Sequence, residues 1–373
     1  MRYIRIAVAL AFWLTLEGCS SGDDGDDGDD GDGAPPPPPD DSPSALFVLG
    51  DSLSDVGNLA AAADFLLSQT VDPPTVGLCN TFDVFVLLRP CDNLFFRQSR
   101  VSDGRVAVEY LAAHFGIAEL APSLHLITDR PVVGTAYAVG SAKAGGQGLE
   151  DLSPQVDMLL LDHGPMLPEE AVYVVIIGGN DAIDARQAAV SGTPDAPQAG
   201  AAIVTAAVDA IGTNVVRLLD FGARRLIVAN VPDLAALPAV RVDAQASGDE
   251  AGMLATASVV SEAFNSELTT ALDGIEGSGQ WASPTPLALT RFDLHATLQD
   301  VVASAVGNVL DACFDSAAYR ESLTAERVFH PDCTPVQGDL PRFADFVSWD
   351  DIHPTGAAHA EIGTALIELM SLD

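Results

Sequence analysis

Lysine is almost missing. Lys143 is the single one in 373 residues, and all lysines and arginines number 17 against 53 aspartates and glutamates. The formal net charge of −36 repels a phosphate backbone and anionic membrane surfaces, so nucleic-acid binding is excluded as a function class. It fits instead a surface kept soluble in a salty medium, where counterions screen the self-repulsion. Cysteine is scarce too, with five residues, and their spacings match no usual zinc pattern. No internal repeat recurs, and no second linker divides the chain after its N-terminal segment. The apolar run at residues 6–16 is too short to cross a bilayer as a mature helix.

What that N-terminal region does contain is ordered. Arg2 and Arg5 precede the apolar run, so residues 1–18 read as an export signal. The run ends Leu16-Glu17-Gly18-Cys19, which resembles a bacterial lipobox with Cys19 as the acylated residue; ordinary signal cleavage near Cys19 is the rival, since Glu17 departs from the usual small or apolar residue. Residues 19–44 carry a Gly-Asp-Asp repeat and five consecutive prolines with almost nothing apolar to bury, so they read as an extended tether. A calcium loop is the alternative for the repeat, but the closing Glu is lacking. The remaining cysteines, Cys79, Cys91, Cys313 and Cys333, form an even set in an exported chain and read as disulfides, with local closure favouring Cys79–Cys91 and Cys313–Cys333 among three possible pairings.

With 48% hydrophobic residues the chain can bury a large core. From residue 45 on, short apolar strands alternate with longer amphipathic stretches. Strands are expected at 45–49, 172–177, 225–231 and 286–290, and helices at 54–67, 105–115, 152–161, 199–221, 253–272 and 356–370. Residues 68–100 and 307–346 read as irregular. Such alternation implies an α/β domain over 45–373, with a mostly parallel sheet covered by helices on both faces.

Three blocks carry chemistry. Residues 47–58 read Phe-Val-Leu-Gly-Asp-Ser-Leu-Ser-Asp-Val-Gly-Asn, an apolar strand ending in a turn that presents Ser52 at the carboxyl end of a sheet. Gly178-Gly179-Asn180-Asp181 follows a second buried strand. Trp349-Asp350-Asp351-Ile352-His353-Pro354-Thr355 precedes the last helix. Ser52 could instead cap the following helix, although Ser54 suits that task better, and Asn180 could be only a turn residue. Serine catalysis needs a hydroxyl, a base, a group orienting the base, and oxyanion donors. Ser52 supplies the first and His353 the second. Asp350 and Asp351 both stand close enough in sequence to serve as the third. A metal site built on His353 and His359 is disfavoured, because six residues do not place them on one helical face and no third ligand recommends itself.

These blocks, in this order, resemble those of the GDSL family of serine esterases and lipases, also called SGNH hydrolases. The resemblance implies a three-layer, flavodoxin-like fold and ester hydrolysis without metal or organic cofactor. It selects Asp350, because family members carry Asp-x-x-His. It implies an oxyanion hole made by the Ser52 N–H, the Asn180 side chain, and a backbone N–H from residues 136–142, Ala-Tyr-Ala-Val-Gly-Ser-Ala, where Ser141 stands at the donor glycine's position and Gly140 precedes it. Residues 97–106 and 229–234 are similar to further family segments. The expected partners are an ester substrate, lipid or small acyl, and a membrane reached through the Cys19 anchor. A non-catalytic surface lipoprotein that binds carbohydrate or lipid on the same fold is the alternative, and a metal-dependent hydrolase a third reading.

Overall fold

Four five-residue strands set the frame of the structure. The computed structural model describes residues 43–62, 100–117, 120–123, 134–282, 285–314, 330–333 and 345–370. The export signal 1–18, Cys19, nearly all of the tether, and Cys79 and Cys91 lie outside these residues. The strands are β1 (Leu46–Gly50), β2 (Val172–Ile176), β3 (Arg225–Ala229) and β4 (Ala288–Phe292). They pair in the order β1-β2-β3-β4, every pair parallel, with Leu46 opposite Val172, Val172 opposite Arg225, and Arg225 opposite Ala288. Residues 135–139 line the outer edge of β1, where Tyr137 and Ala138 N–H donate to Val48 O and Val139 N–H to Gly50 O at 3.0 Å.

A strand covered on both faces has no reason to alternate apolar with polar residues, and β1 and β2 do not. Their alternation is instead between two cores. Phe47, Leu49, Tyr173, Val175, Leu226, Val228 and Leu289 face one side, and Leu46, Val48, Val172, Val174, Ile176, Ile227 and Phe292 the other. The first core is completed by α2 (Leu152–His163), α3 (Gly179–Ala189), α4 (Ala196–Asp220), α5 (Pro238–Ser247) and α6 (Glu250–Gly277). The second is completed by α1 (Ala107–His114), α7 (Leu294–Ser304) and α8 (Gly356–Met370). This is the α/β three-layer arrangement, helices on both faces of a parallel sheet. A second, two-stranded parallel sheet joins β5 (Asn308–Ala312) to β6 (Phe346–Ser348).

The structure departs from the sequence pattern at several places. The helix expected from residue 54 begins at 58, because Asp55 and not Ser54 caps it. Asp55 Oδ1 accepts the N–H of Gly57 and Asn58, and Oδ2 that of Leu59. Helices α3, α5 and α7 were not expected. The first hides behind the paired glycines 178 and 179, and the last follows the capping aspartate Asp293, which accepts the Ala296 N–H at 3.0 Å. Strand β4 lies two residues further along than expected. The described ends of the stretch 307–346 are paired strands rather than irregular chain, and the Cys313–Cys333 disulfide is present.

Candidate active site

The turn after β1 is held from both sides. Gly50 approaches β2 so closely that a Cβ there would lie 2.1 Å from Ile176 O, so only glycine fits. Its backbone is clamped by buried Gln155 of α2, whose Oε1 accepts the Gly50 N–H at 2.8 Å while Nε2 donates to Gly50 O at 2.7 Å. Asp51 N–H then continues the ladder to Ile176 O at 3.1 Å. Ser52 follows, 8% exposed. Asn58 Nδ2 donates to Ala136 O and Ala138 O, tying the turn to the neighbouring edge segment. The Asp51 carboxylate accepts the N–H of Leu53 and Gly179; burial, with some help from Asp181, pushes its pKa up to about 7 against those bonds and the nearby His353.

His353 reaches this turn from the far end of the chain. Its Nε2 lies 2.8 Å from Ser52 Oγ, and its Nδ1 lies 2.9 Å from both Oδ1 and Oδ2 of Asp350. The loop bearing both residues is closed on itself. Trp349 N–H donates to His353 O at 2.7 Å, and Thr355 N–H to Val347 O at 2.9 Å. Asp350 Oδ1 also accepts the N–H of Ile352 and His353. Asp351, the rival, instead gives its backbone O to the Ala239 N–H. From outside, Ser102 Oγ donates to Pro354 O, and Asp103 Oδ1 accepts the Gly356 N–H at 2.5 Å. The disulfide segment lies along the loop's base, with Cys313 N–H on Ser348 O, Phe314 N–H on Trp349 O, and the Phe314 and Trp349 rings stacked. Burial alone would lower the His353 pKa, but the charge and hydrogen bond of Asp350 outweigh it and raise the pKa above 6.5. Burial likewise opposes ionisation of Asp350, yet the charge of His353 and the converging donors hold its pKa below 3.8.

Of the four expected oxyanion donors, one is already occupied. The Gly140 N–H is taken by Asp55 Oδ2 at 2.8 Å, which removes it as a donor. The next residue, Ser141, is exposed and adopts φ +70°, the one non-glycine residue with positive φ among those described. Its N–H, like that of Ser52, has no hydrogen-bond partner among the described residues. Asn180 stands in the first turn of α3, not in a plain turn, and its Nδ2 donates to Ala142 O at 2.9 Å. That bond uses one of two amide hydrogens. Asp181 locks the same two segments together by accepting the N–H of Ala144 and Gly145. Lys143 pairs with Asp184.

Beside Ser52 opens a cleft of ≈ 690 Å³, mouth included, lined by residues of both helical layers. Its wall is mostly apolar, with Leu53, Ile176, Ile183, Leu234, Leu237 and Leu298 among the lining side chains, and Asp51, Asn180, His353 and His359 as polar points. Among the described residues, no three His, Cys, Asp or Glu side chains gather as metal ligands would.

A family model described as GDSL-like Lipase/Acylhydrolase matches residues 46–366. The chain belongs to this family. Its curated relatives in Arabidopsis thaliana are distant. An inactive GDSL esterase/lipase-like protein is 29% identical over 215 residues, 55% of this chain and 45% of the relative. A GDSL esterase/lipase is 26% identical over 54% of this chain and 53% of its own length. Against these two the chain spans about half the relative's length. A further GDSL esterase/lipase is 24% identical over 361 residues, 88% of this chain and 87% of that protein. Within this GDSL-family chain, sequence reasoning missed Gln155 and Asp181 as supports. A glutamine amid the apolar positions of a helix was the available signal for the first; the second had none beyond adjacency to Asn180.

Proposed function

We propose that this chain is an exported hydrolase of carboxylic esters in which Ser52 is the nucleophile, His353 the general base and Asp350 the group that orients it. The single observation that carries the reading is the unbroken chain of contacts from Ser52 Oγ through the His353 ring to Asp350, at 2.8 and 2.9 Å. With the Asp350 carboxylate accepting the hydrogen bond from Nδ1–H, Nε2 is left with its lone pair facing the hydroxyl. Ser52 Oγ attacks the ester carbonyl as His353 takes its proton. The oxyanion is held by the N–H groups of Ser52 and Ser141 and the second amide hydrogen of Asn180. His353 then protonates the departing alcohol, and water, activated by the same ring, releases the acid. The apolar cleft suits the acyl chain. Export rests on the signal-like residues 1–18, and display on acylation of Cys19 with residues 19–44 as spacer.

The second reading, a non-catalytic surface lipoprotein, is favoured by the relative named inactive and by serine at position 141. The two separate cleanly. Under the hydrolase reading Ser52→Ala loses at least ~10³-fold in kcat on a short-chain aryl ester with its fold intact, and a fluorophosphonate labels Ser52. Undiminished turnover in that variant, or no label on the wild type, refutes the assignment.

A further inference from the structure

His359 lies outside the machinery above. It sits in the first turns of α8, its ring is 1% exposed, and neither ring nitrogen has a hydrogen-bond partner among the described residues. It nevertheless lines the same cleft as Ser52, sharing the wall with Ala107, Leu298 and Ile362. The other polar side chains there, Asp51, Asn180 and His353, are each engaged in bonds of their own. A structural histidine normally bonds at least one nitrogen, and a buried polar group without a partner is a costly arrangement that calls for an account. Burial pushes the His359 pKa down to about 3, with the charge of His353 acting in the same direction. The ring is therefore neutral at working pH, with one N–H donor and one lone pair.

We propose that His359 is a specificity-determining residue that reads a hydroxyl on the substrate chain lying in this cleft, so that the preferred substrates are esters of hydroxy acids rather than of plain fatty acids. A hydroxyl both donates and accepts, matching either nitrogen of a neutral imidazole. A plain methylene chain would leave the ring unpaired, and a charged group at the ring would meet the apolar side chains of Ala107, Leu298 and Ile362 beside it. The inference rests on the ester-hydrolase reading of the site and adds the substrate class to it.

The test compares ethyl hexanoate with ethyl hexanoates bearing a hydroxyl at successive chain carbons, acid release being followed by titration. The wild type, His359→Leu and His359→Gln are compared. In the wild type, one hydroxyl position gives kcat/KM about tenfold above the plain ester. In His359→Leu the ratio falls to near one, and in His359→Gln, which keeps a donor and an acceptor, part of it survives. No preference at any position in the wild type, or a preference that persists in His359→Leu, overturns the inference. If a variant does not fold, the wild-type series still overturns the inference when no hydroxyl position is preferred. Plain esters cleaved without hydroxyl preference refute this inference only; no ester cleaved and no label on Ser52 overturns it together with the hydrolase reading.

Discussion

Replacing Asp350 with asparagine separates orientation from packing in this site. The carboxylate does two tasks. Oδ1 accepts the N–H of Ile352 and His353 at 2.9 and 2.7 Å, which shapes the loop, and both oxygens face His353 Nδ1 at 2.9 Å. Asparagine keeps an acceptor for the loop N–H groups, so the loop stands. Its amide nitrogen then faces Nδ1 as a donor, which places the ring proton on Nε2, against the Ser52 hydroxyl. The base is present but in the wrong tautomer, and kcat on a chromogenic acetate ester falls by about 10⁴ with KM little changed. The pH profile moves as well. Under the proposed relay the expected wild-type activity rises as His353 deprotonates, with its acid limb above the ordinary histidine value of 6.5. In Asp350→Asn the charge that raises this pKa is gone and burial lowers it, so the residual activity has its acid limb at lower pH. Stability follows the same pair. His353, whose folded pKa is raised, contributes stability below 6.5 that is lost as pH climbs through that raised value; Asp350, whose folded pKa is lowered, contributes above 3.8 and is lost as pH falls through the depressed one. The pair therefore stabilises most between those two pH values, and the mutation flattens the stability profile there. Retention of a tenth or more of the wild-type kcat, or an acid limb that does not move, refutes this account of the relay.

Two further substitutions test neighbouring features. Ser141→Gly relieves a left-handed residue worth ~1–2 kcal/mol of strain and adds ~0.5–1 kcal/mol of unfolded-chain entropy, leaving a net gain of about 0.5–1 kcal/mol; thermal unfolding reads this as a small rise in Tm, and a fall contradicts it. Cys313→Ser with Cys333→Ser opens a loop spanning 20 residues, costing about 3 kcal/mol by chain entropy. Because Cys313 and Phe314 brace Ser348 and Trp349 next to Asp350, kcat falls more than KM changes; urea unfolding and steady-state kinetics that both match wild type remove the brace from consideration.

The parts of the molecule that could be read from sequence are those governed by short-range pattern. Strands β1, β2 and β3 are unbroken apolar runs, and α8 lies within the expected 356–370 because Pro354 and Gly356 mark its start. Ser52, Asp350 and His353, which the fold brings into contact, each sit in a compact block that could be singled out in the sequence. What could not be read depends on contacts between remote segments. The choice between Gly140 and Ser141 turns on the carboxylate of Asp55, 85 residues earlier, reaching the Gly140 N–H. Gln155 holds Gly50 across 105 residues. Helix α3 was hidden because a glycine pair normally reads as loop; here Gly178, at φ +114° and with Phe264 2.5 Å from where its Cβ would be, is a helix cap fitted into a tight space. Strand β5 was hidden because half-exposed residues with interspersed asparagine and aspartate give no period to detect, and β6 because three residues are too few to show one.

The hydroxyl at 52 and the imidazole at 353 are separated by 301 positions along the polypeptide. Synthesis proceeds from the amino end, so the emerging chain carries its serine long before the histidine that faces it has been made. On the proposed reading the relay cannot form until the final stretch of the chain docks against the turn at Ser52.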